Sequence, residues 1–183
     1  WGVNMSTVHP LKRIVEDQKK GIPKGIYSAC TANSYVIEAV MEKALKENDY
    51  VLIEATANQV NQYGGYTGMK PADFKDFVYE AAEKIKFPLD KIILGGDHLG
   101  PLTWKEEKET AAMEKSVDMI KDYVMAGFTK IHIDTSMHLA DDRGKRLDTA
   151  VIAARGAVLC RAAEEAYREL KKKYPDSVAP VYV

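Results

Sequence analysis

Tyr50-Val51-Leu52-Ile53-Glu54-Ala55 is a run of apolar residues with one carboxylate near its end. A strand that is apolar on both faces is covered on both, as strands of parallel sheets are. A carboxylate at its end is costly to bury alone, so Glu54 is expected to meet a metal, a cation or a substrate hydroxyl.

The same pattern recurs on both sides of this run. Upstream, Leu11, Ile14 and Val15 share one face of a short helix that ends near Gly21. Gly25-Ile26-Tyr27-Ser28-Ala29-Cys30 reads as a first strand. Asn33 or Ser34 caps the helix that carries Val36, Ile37, Val40, Met41, Ala44 and Leu45. Downstream, the amide- and glycine-rich stretch from Asn58 to Gly68 is a long loop, a kind that is often functional. Pro71 opens a helix with Phe74, Phe77, Val78, Ala81, Ala82 and Ile85 on its buried stripe. A third strand runs from Lys91 to Gly96 and leads into Asp97-His98. The next helix carries Ala112, Met113, Val117, Ile120 and Val124 and stops at Gly127. Lys130-Ile131-His132-Ile133-Asp134 is the fourth strand. Asp141-Asp142-Arg143-Gly144 is a polar loop, a long helix spans Val151 to Leu170, and Val178 to Val183 begins a fifth strand.

Strands that alternate with helices predict a parallel sheet. Two architectures fit. One is an open doubly wound sheet of five strands. The other is a (β/α)8 barrel, which takes about 250 residues and of which this chain would be the first half. A half-barrel leaves sheet edges open and is expected to be unstable alone. Residues 1–9 read as an N-terminal extension, with Met5 a candidate native start, and 10–183 as the folded unit.

The 183 residues carry a net charge of -1, which argues against a dedicated nucleic-acid surface. No apolar run is long enough to span a membrane, and no leader is evident. Cys30 and Cys160 fit no zinc spacing and read as reduced thiols of a cytoplasmic protein. Neither GxxxxGK[ST] nor GxGxxG occurs, which disfavours nucleotide triphosphate chemistry and a dinucleotide cofactor.

In either architecture ligands meet the carboxyl ends of the strands. Those ends carry Ser28 and Cys30, Glu54 and Asn58, Asp97 and His98, and Asp134 and Ser136. Asp97 suits proton transfer and His98 metal ligation. His132 and Asp134 point the same way along their strand, although a core histidine satisfied by its neighbours is the commoner use of a residue like His132. His9 and His138 are expected to face solvent. Asp141-Asp142 is read as a cap, and Tyr63, Tyr66 and Trp104 as packing rather than sugar-stacking residues.

Five stretches carry a resemblance. They are Ile53 to Met69 with Pro71-Ala72-Asp73-Phe74, Ile93 to Pro101, and Ala112 to Ser116 with Ala126 to His132. From about Pro10 to its end the chain resembles the Z-type subunit family of class II tagatose-1,6-bisphosphate aldolase. The resemblance implies a TIM (β/α)8 barrel, with strands one to four and the start of the fifth present here. It implies two functions. One is metal-dependent, retro-aldol C4 epimerisation of a ketohexose (fructose and tagatose) or its phosphate. The other is a non-catalytic subunit that stabilises an aldolase catalytic subunit. Under the first, Asp97 and Asp134 are catalytic and His98 binds the metal, with the remaining ligands expected beyond Val183. Glu54, Asn58, Gln59, Gly96 and Ser136 then bind substrate. The cofactor implied is a divalent cation, zinc first, with manganese, cobalt or nickel as alternatives. The partners implied are the sugar, an aldolase catalytic subunit and further copies of the chain.

Overall fold

In the computed structural model, which describes residues 8–142, 144 and 146–183, the stretch at 50–55 forms β2 (Val51–Thr56). It pairs with β1 (Ser28–Cys30) on one side and β3 (Ile92–Leu99) on the other. β4 (Lys130–Ile133) and β5 (Val181–Tyr182) follow. Helices separate the strands: α1 (Pro10–Lys19) precedes β1, and α2 (Ser34–Glu47), α3 (Pro71–Ile85), α4 (Glu109–Ala126) and α5 (Thr149–Lys173) are the crossovers.

Local chemistry sets the helix ends. Asn33 Oδ1 accepts from the backbone of Tyr35 and Val36, Pro71 opens α3, and Gly127 closes α4 in the left-handed conformation. The outer strands are shorter than expected. β1 starts at Ser28 because pairing with β2 starts there, at Ser28 with Leu52, and only Val181 and Tyr182 form β5.

All five strands are parallel and lie in chain order. A doubly wound sheet reverses its strand order at a switch point; this sheet does not. Parallel crossovers are right-handed almost without exception, so a sheet that never reverses carries its crossover helices on one face. Ala29, Ile53, Ala55, Leu94 and Ile131 point to that face and form one core with Ile37, Met41, Phe74, Val78, Ile120 and Leu159 of the helices.

The other face of the sheet carries the polar residues. The register aligns Cys30, Glu54, Gly95, Lys130 and Val181 in one row across it. Toward the strand starts, Leu52 and Ile93 are buried, and a cavity of about 610 Å³ separates Leu52, Lys130 and Val183 from Leu11, Ile14 and Val15 of α1. His9 tethers this helix. It was expected in solvent, but it is only 3% exposed. Its Nδ1 accepts from the Leu11 N–H at 3.1 Å, capping α1, which leaves the proton on Nε2 to be donated to Thr129 Oγ1 at 3.0 Å.

Candidate metal and proton-transfer site

Glu54 is 1% exposed, and the partner its burial demands is Lys130, whose Nζ lies 2.8 Å from Glu54 Oε1. Lys130 stands two strands away and reaches across Gly95. A Cβ at position 95 would lie 2.7 Å from Glu54 Oε1, so glycine is what lets the two charges meet. Lys130 also lies 3.5 Å from Asp97 Oδ1. Lys130 is not among the residues that the strand ends predict for the site. The signal was there: Lys130, His132 and Asp134 alternate with isoleucines.

β3 does not stop at Gly96 but runs to Leu99 through a bulge. Between the pairs Gly96–Ile131 and Leu99–Ile133, β3 advances three residues while β4 advances two. His98 takes up the extra residue at φ +51°, a left-handed conformation that costs a non-glycine residue about 1–2 kcal/mol. In a regular strand Asp97 and His98 would point to opposite faces. Here His98 Nδ1 lies 3.0 Å from Asp97 Oδ2, and His132 Nδ1 lies 2.8 Å from Asp97 Oδ1. The two imidazoles sit 4.4 Å apart, centroid to centroid. The chain leaves the bulge through Gly100, where a Cβ would fall 1.8 Å from the Asp134 carbonyl oxygen.

These contacts fix the charges. Burial pushes the Asp97 carboxyl up, but hydrogen bonds from His132 and His98 and the charge of Lys130 outweigh it and hold the group at about 2. Asp97 is therefore ionised at neutral pH. Burial also pushes up Asp134, and its two bonds from Ser136 (Oγ 2.6 Å, N 2.9 Å) more than reverse this. Burial, together with the charges of Asp97 and Glu54, pushes the Cys30 thiol up to about 11, so it stays protonated and a poor nucleophile.

The structure therefore gathers Glu54, Asp97 and His98 on one face, pairs Asp134 with Ser136, and adds Lys130 and His132. Asn58 and Gln59 sit in the β2–α3 loop. Asn58 Oδ1 accepts from Thr103 Oγ1 at 2.9 Å, and Gln59 Oε1 accepts from the Thr56 N–H at 2.8 Å, so both brace the loop. Gly96 turns toward the helices: a Cβ there would strike Leu99 and Tyr123, so Gly96 faces the site only through its backbone. Trp104 is buried, with Tyr63 edge-on to it at 6.3 Å, while Tyr66 is exposed. His138 is exposed as expected. Asp141 and Asp142 do cap, accepting from Glu109 N and Leu139 N, and Asp142 also pairs with buried Arg155.

Asp97, His98 and His132 each offer a ligand atom within 4.8 Å of the others. Imidazole nitrogen with a carboxylate suits zinc, manganese, cobalt or nickel, so the residues present fit a divalent cation. No helix among the described residues is long and apolar enough to cross a membrane.

Comparison with known proteins gives a consistent picture. The family model described as D-tagatose-1,6-bisphosphate aldolase subunit GatZ/KbaZ-like matches residues 11–183. The D-tagatose-1,6-bisphosphate aldolase subunit GatZ of Salmonella agona is 56% identical over 162 residues, which is 88% of this chain and 38% of that protein. The subunit of the same name from Klebsiella pneumoniae is 55% identical over 164 residues, 90% of this chain and 38% of that protein. A crystal structure described as a probable tagatose 6 phosphate kinase from Sinorhizobium meliloti superposes with a TM-score of 0.78 at 51% identity, covering 87% of this chain and 38% of that one. The chain thus spans a little over a third of the length of these relatives.

Proposed function

The chain belongs to the GatZ/KbaZ-like family of D-tagatose-1,6-bisphosphate aldolase subunits, and we propose that the protein carries out metal-dependent aldol-type chemistry on a ketohexose or its phosphate, as C4 epimerisation between fructose and tagatose. The proposed fold is a (β/α)8 barrel, with the five parallel strands as one arc of its wall. The observation that carries the reading is Asp97: an ionised carboxylate clamped between two imidazoles, beside a buried lysine, on the polar face of the sheet.

A divalent cation held by His98 would supply Lewis-acid polarisation of the ketose carbonyl. Asp97 accepts the proton of the C4 hydroxyl through a lone pair not used by the imidazoles. As that proton leaves, the C4–O bond becomes a carbonyl. The C3–C4 bond breaks, and its electron pair passes into C3–C2 to give an enediolate. The aldehyde rotates to present its other face, the bond re-forms, and Asp97 returns the proton with C4 inverted. His132 and His98, with the charge of Lys130 behind them, keep Asp97 charged between turnovers. Asp134, held by Ser136, binds a sugar hydroxyl, together with Asn58, Gln59 and the backbone of Gly96; Glu54 acts through Lys130. A cytoplasmic location, self-association and an aldolase catalytic subunit as partner belong to the same reading.

The test is to express the complete protein alone, strip its metal and restore zinc, manganese, cobalt or nickel. Fructose-to-tagatose conversion and tagatose-bisphosphate cleavage are then assayed side by side. Metal-dependent conversion, reduced about 10²–10⁴-fold by Asp97→Asn, is the expected result. No turnover with any of the four metals, and turnover appearing only when an aldolase catalytic subunit is added, would make the protein an accessory subunit instead.

A further inference from the structure

We propose that His132 is a second imidazole ligand for the metal at His98, and that Asp97 selects the tautomer of both rings so that each presents Nε2. The inference rests on the metal-dependent reading above and adds a ligand, and the ligating atoms, to it.

A carboxylate oxygen at hydrogen-bond distance from a ring nitrogen accepts the hydrogen which that nitrogen carries. Asp97 Oδ2 faces His98 Nδ1 at 3.0 Å and Asp97 Oδ1 faces His132 Nδ1 at 2.8 Å, one oxygen to each ring, so hydrogen on both Nδ1 atoms completes both contacts. A neutral imidazole protonated at Nδ1 has its lone pair on Nε2. One carboxylate therefore sets two rings in the same tautomer. Metal-bound histidines typically donate their other ring N–H to a carboxylate in this way, which fixes the ring and raises its basicity.

The surroundings favour ligation over packing. A histidine that merely completes the core would be buried with both nitrogens satisfied. The His132 side chain is 26% exposed and that of His98 52%. Neither Nε2 takes a hydrogen bond among the described residues. The rings are tilted by 52° rather than stacked face to face, and each offers a ligand atom within 4.8 Å of the other's. The strain in β3 sits at His98, the residue that the bulge swings beside His132.

Metal binding by the complete, metal-free protein tests this, with Co²⁺ as the probe, titrated calorimetrically and by its visible absorption. His98→Ala and His132→Ala are each expected to weaken Co²⁺ binding at least tenfold and to change the absorption band. Asp97→Asn, which can no longer enforce the tautomer, should weaken binding about 10–100-fold. If His132→Ala binds like the unaltered protein while His98→Ala does not, the inference falls and the metal reading stands. If both variants bind normally, both fall. Long-range proton–nitrogen NMR of the unaltered, zinc-loaded protein is independent of how the variants fold. Hydrogen on Nδ1 with a metal-shifted Nε2 is expected for both rings, and hydrogen on Nε2 of His132 would overturn the proposal.

Discussion

Lys130 lies between two carboxylates, 2.8 Å from Glu54 and 3.5 Å from Asp97, with almost no access to water. Removing one partner of such a pair leaves an uncompensated buried charge, at a cost of about 3–5 kcal/mol. Lys130→Met is expected to lower the unfolding free energy measured by urea denaturation by that amount. Adding Glu54→Leu should recover most of the loss, because apolar replacement of a whole buried pair is often neutral. A double variant no better than the single one would refute this account of the pair. His9 gives a pH effect whose sign can be worked out. Burial, helped by the charge of Lys12, lowers its pKa from 6.5 to about 4. Protonating Nδ1 would also break the cap on α1. The unfolded chain therefore takes up a proton between pH 6.5 and about 4 that the folded chain resists. Stability is full above pH 6.5, falls through that window and levels off below it. Unfolding midpoints measured at pH 7 and pH 5 should show the drop, and His9→Gln should shrink it.

At the scale of elements, the bulge of β3 and the β2–α3 loop shape the rim. The bulge needs Gly100, because any side chain there meets the backbone of Asp134. Gly100→Ala should cost about 1–3 kcal/mol as overpacking and displace Asp134 as well, so thermal stability and sugar affinity would fall together. The loop is held from inside by Asn61. Its Nδ2 donates to Ala57 O at 2.8 Å, while its Oδ1 accepts from Tyr63 N at 2.9 Å and Gly65 N at 3.2 Å. Asn61→Ala strands the buried Ala57 carbonyl and leaves two partly buried N–H groups without their partner, a loss of about 1–3 kcal/mol. Amide exchange should accelerate at residues 61–65 and not in α4; unchanged exchange would show that the loop does not depend on this side chain.

For the whole molecule, the sheet order leaves β1 and β5 paired on one side only among the described residues. Near the β1 edge, Tyr27, Tyr35, Val36 and Leu45 are exposed, as is Val183 at the β5 edge. Unpaired edges beside apolar surface are sites of association. Residues 8–183 expressed alone are expected to self-associate in light scattering. A monodisperse monomer would show that the arc is self-sufficient.

The sequence by itself determined the alternation of strand and helix, most caps, the four polar strand ends and the family. These follow from periodicities and turn chemistry that act over a few residues, and from long local motifs. Only the tertiary structure decided the rest. Whether the sheet reverses depends on which strands become neighbours, and no local pattern encodes that. Lys130 became Glu54's partner because register set both beside a glycine on the intervening strand. His9 went from an expected surface position to a buried cap because Thr129, 120 residues away, offers its hydroxyl. His132 moved from core filler to site residue for a similar reason: one extra residue in β3 swung His98 beside it, and Asp97 holds both rings through hydrogen bonds that exist only across the folded sheet.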